Sequence, residues 1–374
     1  MRTSIWVAGT TAFALALTAL AAAPASASSA GGAAVFALSD NLTANTVAAF
    51  DRGPGGELRP AGVYDTGGRG GQLTGSVVDH TASQGALALD RGAGLLYAVN
   101  AGSDTITVFG VHGSRLARLQ VVAGGGSFPT GVAVHGDLVY VLNARDGGSI
   151  QGFRRVGSRL IRVPSWHRAL GLDPAATPEF THSPGQVAFT PDGRHLLVTT
   201  KGNTSEILAF GIDPFGGPSA TPVHNAEPGA VPFALAFDRY GQAVVAEAGP
   251  NAAATFAVRG GVLTARSSAP TGGAATCWIT GVDGVFYLSN AGSGTVTAFR
   301  TGADGSLQNL GTTSTSGGGT IDSAASADGS RLYVETGAGV DGVEAFRIGP
   351  DGELTPSGSV TIPDGSNAEG IAAY

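Results

Sequence analysis

The chain has one cysteine, Cys277, one lysine, Lys201, and one methionine at its start. A lone thiol excludes an internal disulfide, so stability has to come from burial and from closure of sheets. Cys277 precedes Trp278 in an apolar stretch with no His or Asp beside it, and it is read as a buried structural thiol rather than a nucleophile. Charge is scarce, at 13% of residues, and the formal net charge is −7. That balance excludes the basic footprint needed for nucleic acid or an anionic membrane surface. Chemical signatures are missing as well. There is no Gly-x-Ser-x-Gly elbow, Ser-x-x-Lys, His-Glu-x-x-His or paired cysteine ligand set. The glycine triplets 124–126 and 317–319 lie between strands rather than ahead of helices, so they are not phosphate loops. No cofactor and no metal site are expected.

The N-terminus is distinct from the rest. Arg2 is followed by an uncharged apolar run, Ile5 to Ala23, and by the small-x-small triplet Ala25-Ser26-Ala27. This is the pattern of a secretory signal peptide over 1–27, cleaved after Ala27. It implies a secreted or envelope-associated protein, with one domain over 28–374 and no stable membrane span, since no later apolar run is long enough to cross a bilayer.

What the chain has in abundance is glycine, 60 residues spread along its length, and a repeat. Phe50, Phe109, Phe153, Phe210, Phe256, Phe299 and Phe346 end similar strands, at gaps of 59, 44, 57, 46, 43 and 47 residues. Thr105 to Phe109 and Thr295 to Phe299 alternate with period two, as half-buried strands do. A second strand precedes each by about ten residues, as at Leu96 to Asn100, Val139 to Asn143 and Phe286 to Asn290. A third, apolar strand comes before that, at 131–134, 186–189 and 234–237, joined to the second by Asp-Gly turns in several copies. A weaker fourth strand follows each phenylalanine. Seven such units imply an all-β fold, a seven-bladed β-propeller of four-stranded antiparallel blades. The chain opens on a second-type strand, Ala34 to Ser39, and ends on an unpaired inner-type strand, Ala368 to Tyr374. The C-terminal strand is therefore expected to complete blade one and close the ring.

Propeller geometry puts the starts of inner strands and the ends of second strands on one face. Two long entry loops, 65–83 and 164–182, share that face and are expected to shape a rim around the channel mouth. Inner-strand starts and entry loops bring His80, Gln84, His182, Gln186, Asp322 and Glu369 there, and second-strand ends bring Asn100, Asn143, Lys201, Glu247 and Asn290. Glu247 stands where sister repeats have Asn, and it can reach Lys201 on the neighbouring blade. In a hydrolytic reading Glu247 or His182 is the general base and Lys201 the oxyanion stabiliser, with His80, Gln84, Asn100, Asn143, Gln186, Asn290, Asp322 and Glu369 contacting substrate. In a structural reading the Asn column caps turns, and Asp322 and Glu369 join blades by accepting backbone N–H groups.

The repeats resemble the lactonase-like seven-bladed propeller family, which includes propeller 6-phosphogluconolactonases and carboxymuconate lactonizing enzymes. The marks are Thr190-Pro-Asp-Gly-Arg194, the Tyr-Val-x-Asn strand ends, and Leu58, Leu307 and Leu354 after Gly-rich turns, over residues 34–374. The resemblance implies a His before the inner strand of blade four, near which His182 falls. It also implies Pro-Arg-His opening blade five, where this chain has Pro232-Phe233-Ala234. Three functions follow: an exported hydrolase of a non-phosphorylated lactone, a non-catalytic binding or scaffold propeller, and a lactone-forming isomerase of the muconate type. A small molecule or saccharide at the mouth is the expected partner, on a monomer.

Overall fold

The computed structural model describes residues 1–4, 33–365 and 367–374, so the leader expected at 1–27 lies almost wholly outside the described residues. The described chain folds into seven four-stranded antiparallel sheets. Six blades are built from consecutive strands. Blade two runs Leu87–Asp90, Leu95–Asn100, Thr105–His112 and Arg115–Ala123 from the inside outward. Blade one is the exception: its innermost strand is Ile371–Ala373, paired antiparallel to Ala34–Leu38 with Val35 opposite Ala373. The ring therefore closes as the unpaired ends of the sequence require. Among the described residues the helical pieces are a single turn at Glu179–His182 and a 3-10 turn at Ala101–Ser103. No helix of the described residues is long and apolar enough to cross a membrane.

Burial follows position within the blade. Second strands such as Leu95–Asn100 and Val285–Asn290 are buried at every residue, because both of their faces pack against neighbouring blades. Outer strands such as Val262–Pro270 alternate and face solvent. The seven phenylalanines all lie in third strands and are essentially inaccessible. In six blades the pairing of third to outer strand slips at that residue, as between Ala49 and Phe50, Val108 and Phe109, or Ala345 and Phe346. Such bulges increase local twist, which a blade needs to fan outward from a common axis. The sequence repeat thus marks a repeated bulge. The Asp-Gly turns at Gly193 and Gly329 have φ of +68° and +65°, where a Cβ would be strained, and Asp192 and Asp328 accept the N–H groups of Arg194 and Ser330.

Candidate functional site

The longer entry loops lie where the sequence places them, but the first does not raise a rim. Residues 73–86 turn inward and fill the channel mouth. Gln84, ahead of blade two, exchanges two hydrogen bonds with the backbone of Ile279 in blade six, its Nε2 donating and its Oε1 accepting, at 2.9 Å each. Those blades are not neighbours, so the pair spans the channel. The Trp278 indole N–H donates to the Ser83 carbonyl at 2.7 Å, and the Ser83 hydroxyl donates to the Thr130 carbonyl in blade three. The Gln84 and His80 backbone N–H groups donate to the carbonyls of Gly185 and Asn367. Asp79, His80, Thr81, Ala82 and Ser83 are all buried.

The second insertion packs against the first. Glu179 accepts from Arg145 at 2.8 Å and from the Thr74 N–H at 2.7 Å, and Leu73, Ala82, Ala101, Phe128 and Ala144 form a small core beneath Phe180. Lys201 ties the two insertions together. Its Nζ donates to the carbonyls of Ala82 in one and Phe180 in the other, at 2.5 and 2.6 Å, and to the Ser183 hydroxyl at 2.9 Å. Three acceptors match the three protons of an ammonium. Burial pushes its pKa down to about 7, opposed by the charge of Asp79.

The expected pairing of Lys201 with Glu247 does not form: among the described residues no ion pair joins them, because the lysine is directed at backbone carbonyls. Glu247 is buried at the end of Gln242–Glu247 and has no hydrogen-bond partner among the described residues. Burial, then the charge of Glu227, raises its carboxyl to about 7. His182 ends the helical turn, with Nδ1 2.9 Å from both the Pro178 carbonyl and the Thr181 hydroxyl. It lines a separate groove with Arg145, Leu172, Asp173 and Glu179.

Asn100 and Asn290 do not cap turns by bonding to the backbone. Each donates to two threonines of the next strand, Thr105 and Thr107 or Thr295 and Thr297; Asn100 accepts from Asn45 of the preceding blade, and Asn290 accepts from Thr276 opposite it in its own blade. Asn143 donates to the Ser149 hydroxyl. All three are fully buried. The repeated Asn-Ala-Gly-Ser-x-Thr-x-Thr at 100–107 and 290–297 is the signal from which this lattice was legible. Gln186 accepts from the Leu235 N–H at 2.6 Å and so joins blades four and five.

The opposite flank of the plug is acidic. Asp79 accepts from the N–H groups of Thr81 and Ser83 and from the Thr81 hydroxyl, and that hydroxyl also reaches Glu369 at 3.2 Å. Asp322 accepts the Ser323 N–H and lies within hydrogen-bonding reach of Glu369, and Glu335 accepts the Gly370 N–H at 3.0 Å. Burial raises Asp79 to about 6 and Asp322 to about 7, and it holds Glu335 and Glu369 well above the usual carboxylate range. His80 lies 3.6 Å from Asp40, whose carboxyl burial raises to about 7. Asp322, Glu369 and His80 are marked by their places in the repeat, whereas nothing in the repeat sets Asp79, Glu335 and Asp40 apart.

Beside the plug is an apolar cavity of about 250 Å³. Val77, Val78 and Ala82 of the first insertion line it, with Phe180 of the second and Phe233 and Trp278 of blades five and six. Cys277 lines it too. Burial pushes this thiol up to about 12, so it carries no thiolate near neutral pH, in keeping with a structural role.

No family model matches the chain, and no curated protein does. Solved structures do. A Bacteroides uniformis protein provisionally named a 6-phosphogluconolactonase is 17% identical, with a TM-score of 0.74 over 92% of this chain and all of the other. The periplasmic gluconolactonase of Pseudomonas aeruginosa is 17% identical, with a TM-score of 0.70 over 91% of this chain and 98% of its own. Virginiamycin B lyase of Staphylococcus aureus is 15% identical, with a TM-score of 0.55 over 80% of this chain and 90% of its own. At these identities the likeness is one of fold: the chain is a seven-bladed propeller, as are the lactonase-type structures it resembles over nine-tenths of its length.

Proposed function

We propose that the protein is a small-molecule-binding propeller that works outside the cytoplasm and does no lactone chemistry at the channel mouth. The observation that carries this reading is the filled mouth. The three groups that hydrolysis would need do not bond to one another among the described residues: Lys201 is bonded to backbone carbonyls and the Ser183 hydroxyl, His182 lines a groove with Arg145 and Glu179, and the Glu247 carboxyl has no hydrogen-bond partner. Asn100, Asn143 and Asn290 are spent on bonds to hydroxyls of the next strand in their own blades, and Asn100 also on Asn45 of blade one, rather than on a ligand. What remains for a ligand is the apolar cavity under the plug, smaller than a drug-sized pocket. Its aromatic walls suit an uncharged, mainly apolar molecule, and the one buried acid at its edge, Asp79, offers a single polar contact. The leader-like residues 1–27 support an extracellular or envelope address.

The test uses purified residues 28–374 with five- and six-membered lactones bearing short alkyl chains. We expect no turnover, and a change in tryptophan emission on binding that Ala291→Leu, which fills the cavity from its edge, removes. Turnover that disappears in Glu247→Gln would establish the hydrolase instead and give Glu247 the role of base. No emission change with any lactone, on folded protein, would remove the cavity as the ligand site.

A further inference from the structure

The plug meets the ring along two seams of different chemistry, and no ion pair neutralises the acidic one, although Lys201 is near enough for the charge of Asp79 to act on it. Asp79 from the plug faces Asp322 and Glu335 of blade seven and Glu369 of the strand that closes blade one. Asp341 of blade seven and Asp40 of blade one flank them. The cationic groups nearby are occupied elsewhere: Lys201 is bonded to two carbonyls and a hydroxyl, and His80 sits against Asp40. Cys277 adds no positive charge. Among the described residues no ion pair reaches Asp79, Asp322, Glu335 or Glu369. Two oxygens, Oε1 of Glu335 and Oε1 of Glu369, are buried with no hydrogen-bond partner.

A buried cluster of this kind is stable only when neutralised. Buried carboxylate oxygens with no donor, as Oε1 of Glu335 and of Glu369 are, call for protons on the cluster, since carboxylates can only accept. The other means of neutralising them is a divalent cation. Among the described residues no three such groups converge closely enough to hold one, which favours protons.

We propose that residues 73–86 form a proton-latched plug, closed over the mouth while Asp79, Asp322, Glu335 and Glu369 share protons and released as these groups ionise. No bond is made or broken in release apart from the loss of protons to solvent, and like-charge repulsion across the seam drives Asp79 outward. The direction follows from linkage. Carboxyls held above their unfolded values bind more protons in the closed state, so closure is fully supported below about pH 4 and lost as pH rises through about 6 to 7. Ala82 works in the same sense: a non-glycine residue at φ +46°, it is held in a strained conformation that release relaxes. The latch concerns the plug itself and stands whether or not the cavity binds a ligand.

Hydrogen exchange resolved by peptide, on residues 28–374 between pH 5 and 9 and corrected for intrinsic rates, tests it. Protection of 73–86 is expected to fall at least tenfold between pH 5 and 8, while the third strands, such as Gly342–Ile348, keep theirs. Glu335→Gln, whose amide oxygen still accepts the Gly370 N–H, should move the transition to higher pH, and Asp322→Asn should do the same. Constant protection of 73–86 across the range in the parent protein overturns the latch, and so does loss that coincides with exchange of the whole ring. Millimolar calcium that restores protection at pH 8.5 also overturns it, replacing the proton with a cation.

Discussion

The plug is fastened in two unlike ways. Toward blades three to six it is held by neutral hydrogen bonds and apolar contact: Gln84 with Ile279, Trp278 with Ser83, Ser83 with Thr130, Phe180 with the core under both insertions. Toward blades seven and one it meets carboxyl groups that need protons. These neutral bonds contain no titratable group, and the only titrating fastening on that side is Lys201, which keeps its proton up to about pH 7; the carboxyl groups of the other side change charge directly. A segment fastened this way has a hinge side and a latch side, and the two are set by residue type alone. The latch side also coincides with the ring's closing seam, because Glu369 belongs to the segment that delivers Ile371–Ala373 into blade one.

The harshest way to break that comparison is to remove the seam. Deleting residues 368–374 takes away the inner strand of blade one together with Glu369. It leaves Ala34–Leu38 as an unpaired edge and exposes Val35 and Ala37, which are now buried. We expect loss of cooperative melting, read by circular dichroism. A variant that melts like the parent would mean that ring closure does not depend on this strand, and the seam would lose its significance.

How much of this was legible beforehand follows from the same division. The fold was carried by features that recur: the phenylalanine marks all seven third strands, the Asp-Gly turns mark several of the hairpins, and the unmatched ends fix the closure of blade one. Residues at strand ends were placed on the right face for the same reason. Which of them touch was not legible, because an irregular insertion decides it. Lys201 pairs with Ala82 and Phe180 carbonyls, 119 and 21 residues away, and no pattern in side chains foretells a bond to a backbone carbonyl. Asp79 and Glu335 were passed over since each looks ordinary in sequence, and only the inward turn of 73–86 brings them beside Asp322 and Glu369.

The hinge side is best tested at Lys201. Lys201→Met keeps the aliphatic stem but leaves two buried carbonyls and the Ser183 hydroxyl without their donor. We expect a loss of about 3 kcal/mol and a fall in Tm of roughly 5–10 °C. Both insertions should become more open to proteolysis, since Lys201 fastens both. The fall in stability between pH 4 and 6 should persist, because Lys201, with its pKa lowered to about 7, stays fully protonated there and contributes no slope. A flat profile over that range would mean that the acids do not carry the pH dependence, since a lysine with a lowered pKa can only add stability as pH rises.

The smallest effect is expected at Gln84, and it separates the two sides most cleanly. Gln84→Ala removes both bonds to Ile279 and leaves that residue's N–H and carbonyl facing the mouth unpaired. The cost should be about 1–2 kcal/mol. No titratable group takes part in the pair, so the whole stability curve should drop by the same amount at pH 5 and at pH 8. Thermal melts at the two pH values measure this directly. A loss at pH 5 much larger than at pH 8 would mean that at high pH the bond across the channel is already broken in the parent, so that the plug leaves the mouth completely rather than swinging on its hinge side. Equal losses keep the hinge intact while the latch opens, and confine the movement to the flank that carries Asp79.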